Sequence, residues 1–335
     1  MARMDDVARL AGVSVSTVSH VLNATRAVAP QTRTRVEEAV ERLAYRRNDL
    51  ARSLALRKTR TVGIAIAALS NPYFGELVSA LNEALEAQGY TALLGDTGDD
   101  PDREVATVER MLDQRVAGLI LATAASSGEP VASRVLDQSV PLVLVDRHID
   151  ARCDQVVPLN REPVEELVGH LADLGHTRIA AVAGAAGLDT TTERLDGYLA
   201  TVAARGLDDD PALILRGRSR AQDAEAAARA AFAGPHRPTA VVVLNNAMTI
   251  GTLRALRGLG LTVPHDVALV CYDDFEWADL FQPRLTAVRQ DLTTMARSAV
   301  GLLLSRICGD DRAPVVERIT PQLRHRESCG CPAPD

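Results

Sequence analysis

Aromatic residues make up only 3% of this 335-residue chain although 47% of it is apolar, so Ala, Val and Leu carry the hydrophobic content. That scarcity argues against an all-β sandwich and for helices packed on parallel strands. Long apolar runs are missing too: the longest, such as Val62–Leu69, are far too short to span a bilayer. The opening "MARMDDVARL" has acids where a signal peptide needs an apolar stretch, and the expectation is a soluble, cytoplasmic protein with no membrane partner.

Cysteines number five, an odd count at irregular spacing, which fits reduced thiols better than a disulfide framework. Cys329 and Cys331 form C-x-C in a Pro-rich tail where only His325 stands nearby, so no metal site is expected. The chain also lacks a phosphate-loop signature, G-x-G-x-x-G and G-x-S-x-G. His176 in "LGHTRI" reads as a structural hydrogen-bonder, and Asp273–Asp274 are adjacent residues at a strand end that point apart. Neither an enzyme nor a cofactor is expected.

What is present is an asymmetry. Residues 1–60 hold twelve Lys/Arg against six Asp/Glu, a net +6 that leaves −13 for the rest of a chain whose total is −7. A basic head on an acidic body suggests a polyanion-binding module joined to something else. Within the head, Val7, Ala8, Leu10 and Ala11 form an apolar stripe at helical spacing behind Asp5 and Asp6. Gly12 ends that helix, and Ser14 is placed to cap a second, Val15–Asn23, with Val18, Val21 and Leu22 turned inward. Pro30 opens a third over Gln31–Tyr45.

Three short helices with a tight turn between the first two make a helix-turn-helix pattern. The stretch "GVSVSTVSHVLN" contains no acid, as a helix lying among phosphates requires. Ser14, Ser16, Thr17 and Ser19 can donate to phosphates, while Val15, Ser16 and His20 can meet base edges; Asn23 and Arg26 complete the expected DNA-binding set. "NDLARSLAL" is too short for a stable isolated helix and would fold only when DNA or a second copy supplies packing.

From Thr61 onward, strand-like and helix-like segments alternate in two series, implying two doubly wound α/β lobes with parallel sheets. Ligands of such lobes sit beyond the carboxyl ends of the strands, which selects Ser70–Phe74, Asp146–Arg147, Asn245–Asn246 and Tyr272–Asp274. Carboxylates, amides, an Arg and aromatic faces suit a polyhydroxylated or heterocyclic small molecule.

"DDVARLAGVSVSTVSHVLN" and "VAPQTRTRVEEAVERLAYRRNDLARSL" resemble the headpiece of the LacI/GalR (lactose/purine-repressor) family of transcription regulators. "SNPYF", "VPLVLVDR", "LGHTRIA", "LGLTVPHDVALVCYDD" and "PRLTAVRQ" are similar to its effector-binding core, itself like periplasmic sugar-binding proteins. The resemblance implies a hinge helix over Asn48–Leu56 with Leu54 as a minor-groove wedge. It implies effector contacts from Tyr73, Phe74, Asp146, Arg194, Asn245 and Asp273; an aromatic often found in the family's second lobe is replaced near Ser219, and Trp277 is the candidate to compensate. It also implies three chain crossings between lobes, "LTAVRQ" returning to the first. The chain departs from the family pattern at Arg3, Ala29, Arg47 and Ala55, and where "AND" is usual it has Leu244-Asn245-Asn246.

The expected domains are a headpiece at 1–46, a hinge at 47–60, a first lobe at 61–158 with 287–319, and a second at 159–286 with 320–335. A dimeric, ligand-controlled repressor of a palindromic DNA operator is the leading expectation, since the chain ends without the coiled segment that makes some members tetramers. A solute-binding protein of a transport system is the competing reading.

Overall fold

The computed structural model describes residues 2–23, 26–45, 59–124 and 128–331. The expected hinge helix, with Arg47, Leu54 and Ala55, lies outside the described residues. The chain divides into two compact units, residues 1–58 and 59–335.

In the first unit, α1 (Met4–Ala11), α2 (Val15–Asn23) and α3 (Pro30–Arg42) enclose one small core. Val7, Ala8, Ala11, Val18, Val21, Val36 and Ala39 fill it. Leu10, expected on the inner stripe, is 43% exposed instead. Gly12 turns the chain out of α1 with φ +64°, a left-handed conformation that suits a residue without Cβ, and Val13 N–H closes the turn on Ala8 O at 3.0 Å. Ser14 Oγ accepts from Thr17 N–H at 3.2 Å, capping α2. Arg3, which has no side-chain acceptor, leaves α1 with half a capping box: Asp6 Oδ2 accepts from Arg3 N–H at 2.9 Å.

The second unit holds two six-stranded sheets. The first contains β1 (Thr61–Ile66), β2 (Thr91–Asp96), β3 (Gly118–Leu121), β4 (Leu142–Val145), β5 (Asp154–Pro158) and β11 (Val316–Ile319), in the order β11-β5-β4-β3-β1-β2 with every pair parallel. Interleaved in sequence are α4 (Pro72–Ala87), α5 (Pro101–Asp113), α6 (Gly128–Asp137) and, late in the chain, α11 (Leu292–Ile307). Strands such as β3 and β4 are buried at every position, as a sheet covered on both faces demands.

The second sheet contains β6 (Ile179–Ala183), β7 (Ile214–Arg216), β8 (Ala240–Val243), β9 (Ala268–Tyr272), β10 (Thr286–Arg289) and β12 (Gln322–Arg324), in the order β12-β10-β9-β8-β6-β7. Only β12 runs antiparallel, against β10. Its helices are α7 (Arg161–Asp173), α8 (Asp189–Arg205), α9 (Ala221–Phe232) and α10 (Asn246–Gly258).

Two expectations need correction. "LTAVRQ" does not return to the first lobe: β10 pairs in parallel with β9, Thr286 opposite Val270, and so belongs to the second sheet. The boundary expected at 287 therefore moves past Arg289, and the chain crosses only at Gln290–Asp291. The stretch between β4 and α7, polar in sequence, contains β5, whose five residues are all buried. Asp154 disguises this strand. Its carboxylate is paired with Arg306 of α11, Nε to Oδ2 at 2.7 Å and Nη2 to Oδ1 at 3.0 Å, and so tolerates full burial.

Candidate effector cleft and DNA-reading helix

All six expected effector residues line one cavity of about 550 Å³ between the sheets of the second unit. Five of them reach it from the carboxyl ends of strands or the first turns of the helices that follow, and Arg194 from the second turn of α8. Tyr73 and Phe74 open α4, where Asn71 Oδ1 caps the helix by accepting from Tyr73 N–H at 3.1 Å. Asp146 follows β4 and Asp273 follows β9, each with a left-handed backbone, φ +70° and +73°. Among the described residues eight non-glycines have positive φ, and five of them (Asp99, Asp146, Arg218, Ser219 and Asp273) line this cavity. Strain so concentrated marks a site that the surrounding fold holds in place.

A run of polar contacts crosses the cavity floor. Tyr73 Oη donates to Asp146 Oδ1 at 2.7 Å and lies 3.3 Å from Gln290 Oε1, while Gln290 Nε2 donates to Asp273 Oδ1 at 2.7 Å. Gln290 sits in a crossing segment, so the contacts join both lobes to the chain between them. Asn246 Nδ2 donates to Asn71 Oδ1 at 2.8 Å, a second bridge.

Two arginines flank the floor. Arg194 of α8 lies over the Tyr272 ring, its Cζ 3.6 Å from the centroid, and donates to Asn160 Oδ1 at 2.8 Å and to Leu244 O at 2.7 Å. Arg147 donates to Asp99 Oδ1 at 2.6 Å and to Thr123 O, with its Nε 3.6 Å from Asp146 Oδ2. Burial pushes the Asp146 carboxyl up to about 6, although Arg147, the Tyr73 hydroxyl and Arg194 each pull it down. Burial together with Asp146 holds the Tyr73 phenol well above its usual range, so it stays a neutral donor.

Asn245 has a double role, because its Oδ1 accepts from Met248 N–H at 2.9 Å and caps α10. The neighbouring Asp274 faces away: Arg326 holds it with two bonds of 2.9 Å. His176 Nδ1 lies 2.9 Å from Thr239 Oγ1, a link between a helix end and a strand start. The side chain of Trp277 lies outside the described residues.

Sequence reasoning missed Gln290 and the Thr190–Thr191 edge of the cavity. The strand-exit rule applied to β10 would have found Gln290, had that strand been given to the right sheet. The threonines stand in the first turn of α8, which begins at Asp189. His170 was missed as well. It stands in the last turn of α7, and its Nε2 lies 3.5 Å from Cys331 Sγ, so the C-x-C pair has a companion besides His325.

On the headpiece, Val15 and Ser16 are exposed on α2, and Thr17 and His20 are half-buried. Ser14 Oγ lies 2.8 Å from both Ser16 Oγ and Thr17 Oγ1, a hydroxyl cluster at the front of the helix. Arg26 is exposed, and the Asn23 side chain lies outside the described residues. Among the described residues no helix is long and apolar enough to cross a membrane.

Residues 3–48 match the family model for bacterial regulatory proteins of the lacI family, and residues 168–329 match the periplasmic binding protein-like domain. The ribose operon repressor of Escherichia coli is 35% identical over 332 residues, covering 98% of this chain and all of that protein. The transcriptional repressor PurR of Aliivibrio salmonicida is 31% identical over 329 residues, covering 98% and 99%. Among solved structures, the lac repressor dimer bound to operator and an anti-inducer superposes with a TM-score of 0.86 at 26% identity, covering 98% of this chain and 99% of that one. The regulator CelR in complex with cellobiose superposes at 0.72 with 29% identity, covering 98% and 100%.

Proposed function

We infer, from the premise that this chain belongs to the LacI family of bacterial regulatory proteins, that it is a transcription repressor controlled by a small polyhydroxylated ligand. The observation that carries the ligand class is the cavity floor, where Tyr73, Asp146, Gln290 and Asp273 form an unbroken polar run spanning both lobes. Sugar hydroxyls both donate and accept. Paired carboxylates and two fixed guanidinium groups suit them better than they suit an anion, which Asp146 and Asp273 would repel. The relatives named for ribose and the structure holding cellobiose favour the same class.

Val15, Ser16 and His20 of α2 would read base edges in the major groove, with Ser14, Thr17, Asn23 and Arg26 near the phosphates. Leu54 would open the central minor groove. Two copies would bind a palindrome, each head on one half-site, as in the lac repressor dimer bound to its operator. Acting on an operator would put the protein with the chromosome, in the cytoplasm. A transporter's solute-binding protein is not favoured, because it needs no helix-turn-helix head.

Ligand bound across the floor would change the spacing of the lobes and so the DNA affinity. The test is selection of random duplexes by the full-length protein, followed by anisotropy across a salt series. The expected winner is a palindrome of about 14–20 bp with a flexible central step and a steep salt slope. Pentoses, hexoses and disaccharides, with purines as the contrast, are then titrated against that site. A response to purines alone would overturn the sugar assignment, and unselective binding with and without ligands would overturn the operator-reading one.

A further inference from the structure

Four side chains remote from the cleft converge where α7 meets the segment after β12. His170 Nε2 lies 3.2 Å from His325 Nε2 and 3.5 Å from Cys331 Sγ, and Cys329 Sγ lies 3.3 Å from His325 Nε2. All four donor atoms fall within 4.8 Å of one another. We propose that His170, His325, Cys329 and Cys331 bind a structural zinc ion.

Geometry is the first support. Zinc bonds of about 2.0–2.1 Å to nitrogen and about 2.3 Å to sulfur in a tetrahedron set neighbouring donors roughly 3.3–3.8 Å apart. The three separations above lie at or just below that range, so small side-chain shifts would complete the tetrahedron. Chemistry is the second. Two imidazoles and two thiols form a zinc set, whereas calcium and magnesium need oxygen donors and none of the four residues supplies one. Binding Zn²⁺ displaces the two thiol protons to solvent, and two thiolates then cancel the ion's charge. A neutral centre suits Cys329, which is 1% exposed.

The backbone supplies the third. Gly330, between the two cysteines, takes φ +92°, a left-handed conformation that lets both sulfurs face the same point. Thr286 Oγ1 stands 3.4 Å from Cys329 Sγ, where its hydroxyl can donate to a thiolate. The two imidazole rings meet edge-on at 87° with centroids 4.8 Å apart, so both Nε2 atoms aim inward without stacking.

Four protein ligands leave no open position, so the ion would have a structural role. It would join residues 155 apart in sequence and pin the chain behind β12, a strand of only three residues. Spacing hides the site from sequence: three ligands lie within seven residues of the segment after β12, and the fourth arrives from α7.

The test is metal analysis of reduced, tag-free full-length protein dialysed against zinc, with cobalt(II) as the spectroscopic substitute. The expected result is one metal per chain and intense visible bands of tetrahedral cobalt with thiolate charge transfer. His170→Ala and Cys331→Ser should lose stoichiometric metal, and His170→Cys, which restores a four-ligand set, should regain it. A chelator should lower the melting temperature of the unsubstituted protein and leave His170→Ala unmoved. Folded, reduced protein that takes up no zinc and shows no tetrahedral cobalt bands would overturn the proposal, as would zinc retained by a Cys329→Ser/Cys331→Ser double variant. If the variants fail to fold, the cobalt spectrum and chelator shift of the unsubstituted protein decide alone.

Discussion

Asp146 is a carboxylate that the fold holds at a cost. Its pKa of about 6 lies above the ordinary Asp value, so the native chain binds more protons than the unfolded one between pH 4 and 6. Stability must therefore fall as pH rises through that window, by about 3 kcal/mol. Asp146→Asn keeps an acceptor for the Tyr73 hydroxyl and removes the charge. Urea titrations from pH 3.5 to 8 should show this variant more stable than the unsubstituted protein at pH 7.5, with the difference shrinking as pH falls through about 6 and vanishing below about pH 4. A ligand donating hydroxyls to the carboxylate would favour its charged form, so the same substitution should abolish the response of operator binding to ligand. Stability gained by losing function is the behaviour of a binding residue rather than a core one.

At the level of elements, the alternation of apolar runs was enough to reveal two parallel sheets and most of their helices. The exceptions share a cause: a polar residue whose partner lies far away in sequence. β5 carries Asp154, which is readable as buried only once Arg306 is known to meet it. β10 ends beside Gln290, and its sheet is decided by pairing with β9, which no local pattern encodes. The strand-exit rule led to Tyr73, Asp146, Asn245 and Asp273 because backbone geometry alone brings such residues together. It had no access to His170, placed by the packing of one helix against a later segment. The Arg306–Asp154 pair gives a direct test of how α11 is docked. Arg306→Met should destabilise the protein by about 3–5 kcal/mol, since an unpaired carboxylate is left buried beside Val315 N–H. Adding Asp154→Asn should recover part of that loss in denaturant titrations, which a purely steric defect would not allow.

The molecule as a whole separates its tasks. The headpiece and the remainder have their own cores, and the charge balance changes sign between them. A chain starting at Thr59 should keep ligand binding with an unchanged dissociation constant by calorimetry while losing operator binding altogether. Within the larger unit the separation is incomplete, because β11 finishes the first sheet after the second has been largely built. Time enters here. Roughly 160 residues lie between β5 and the strand that covers its outer edge, and at about 5–20 residues per second a ribosome needs on the order of ten to thirty seconds to make them. Throughout that interval the nascent first sheet presents a bare row of amides and carbonyls beside Asp154, whose arginine is synthesised only shortly before β11. Production of this regulator is therefore most exposed to misassembly during synthesis, before any operator or ligand is met.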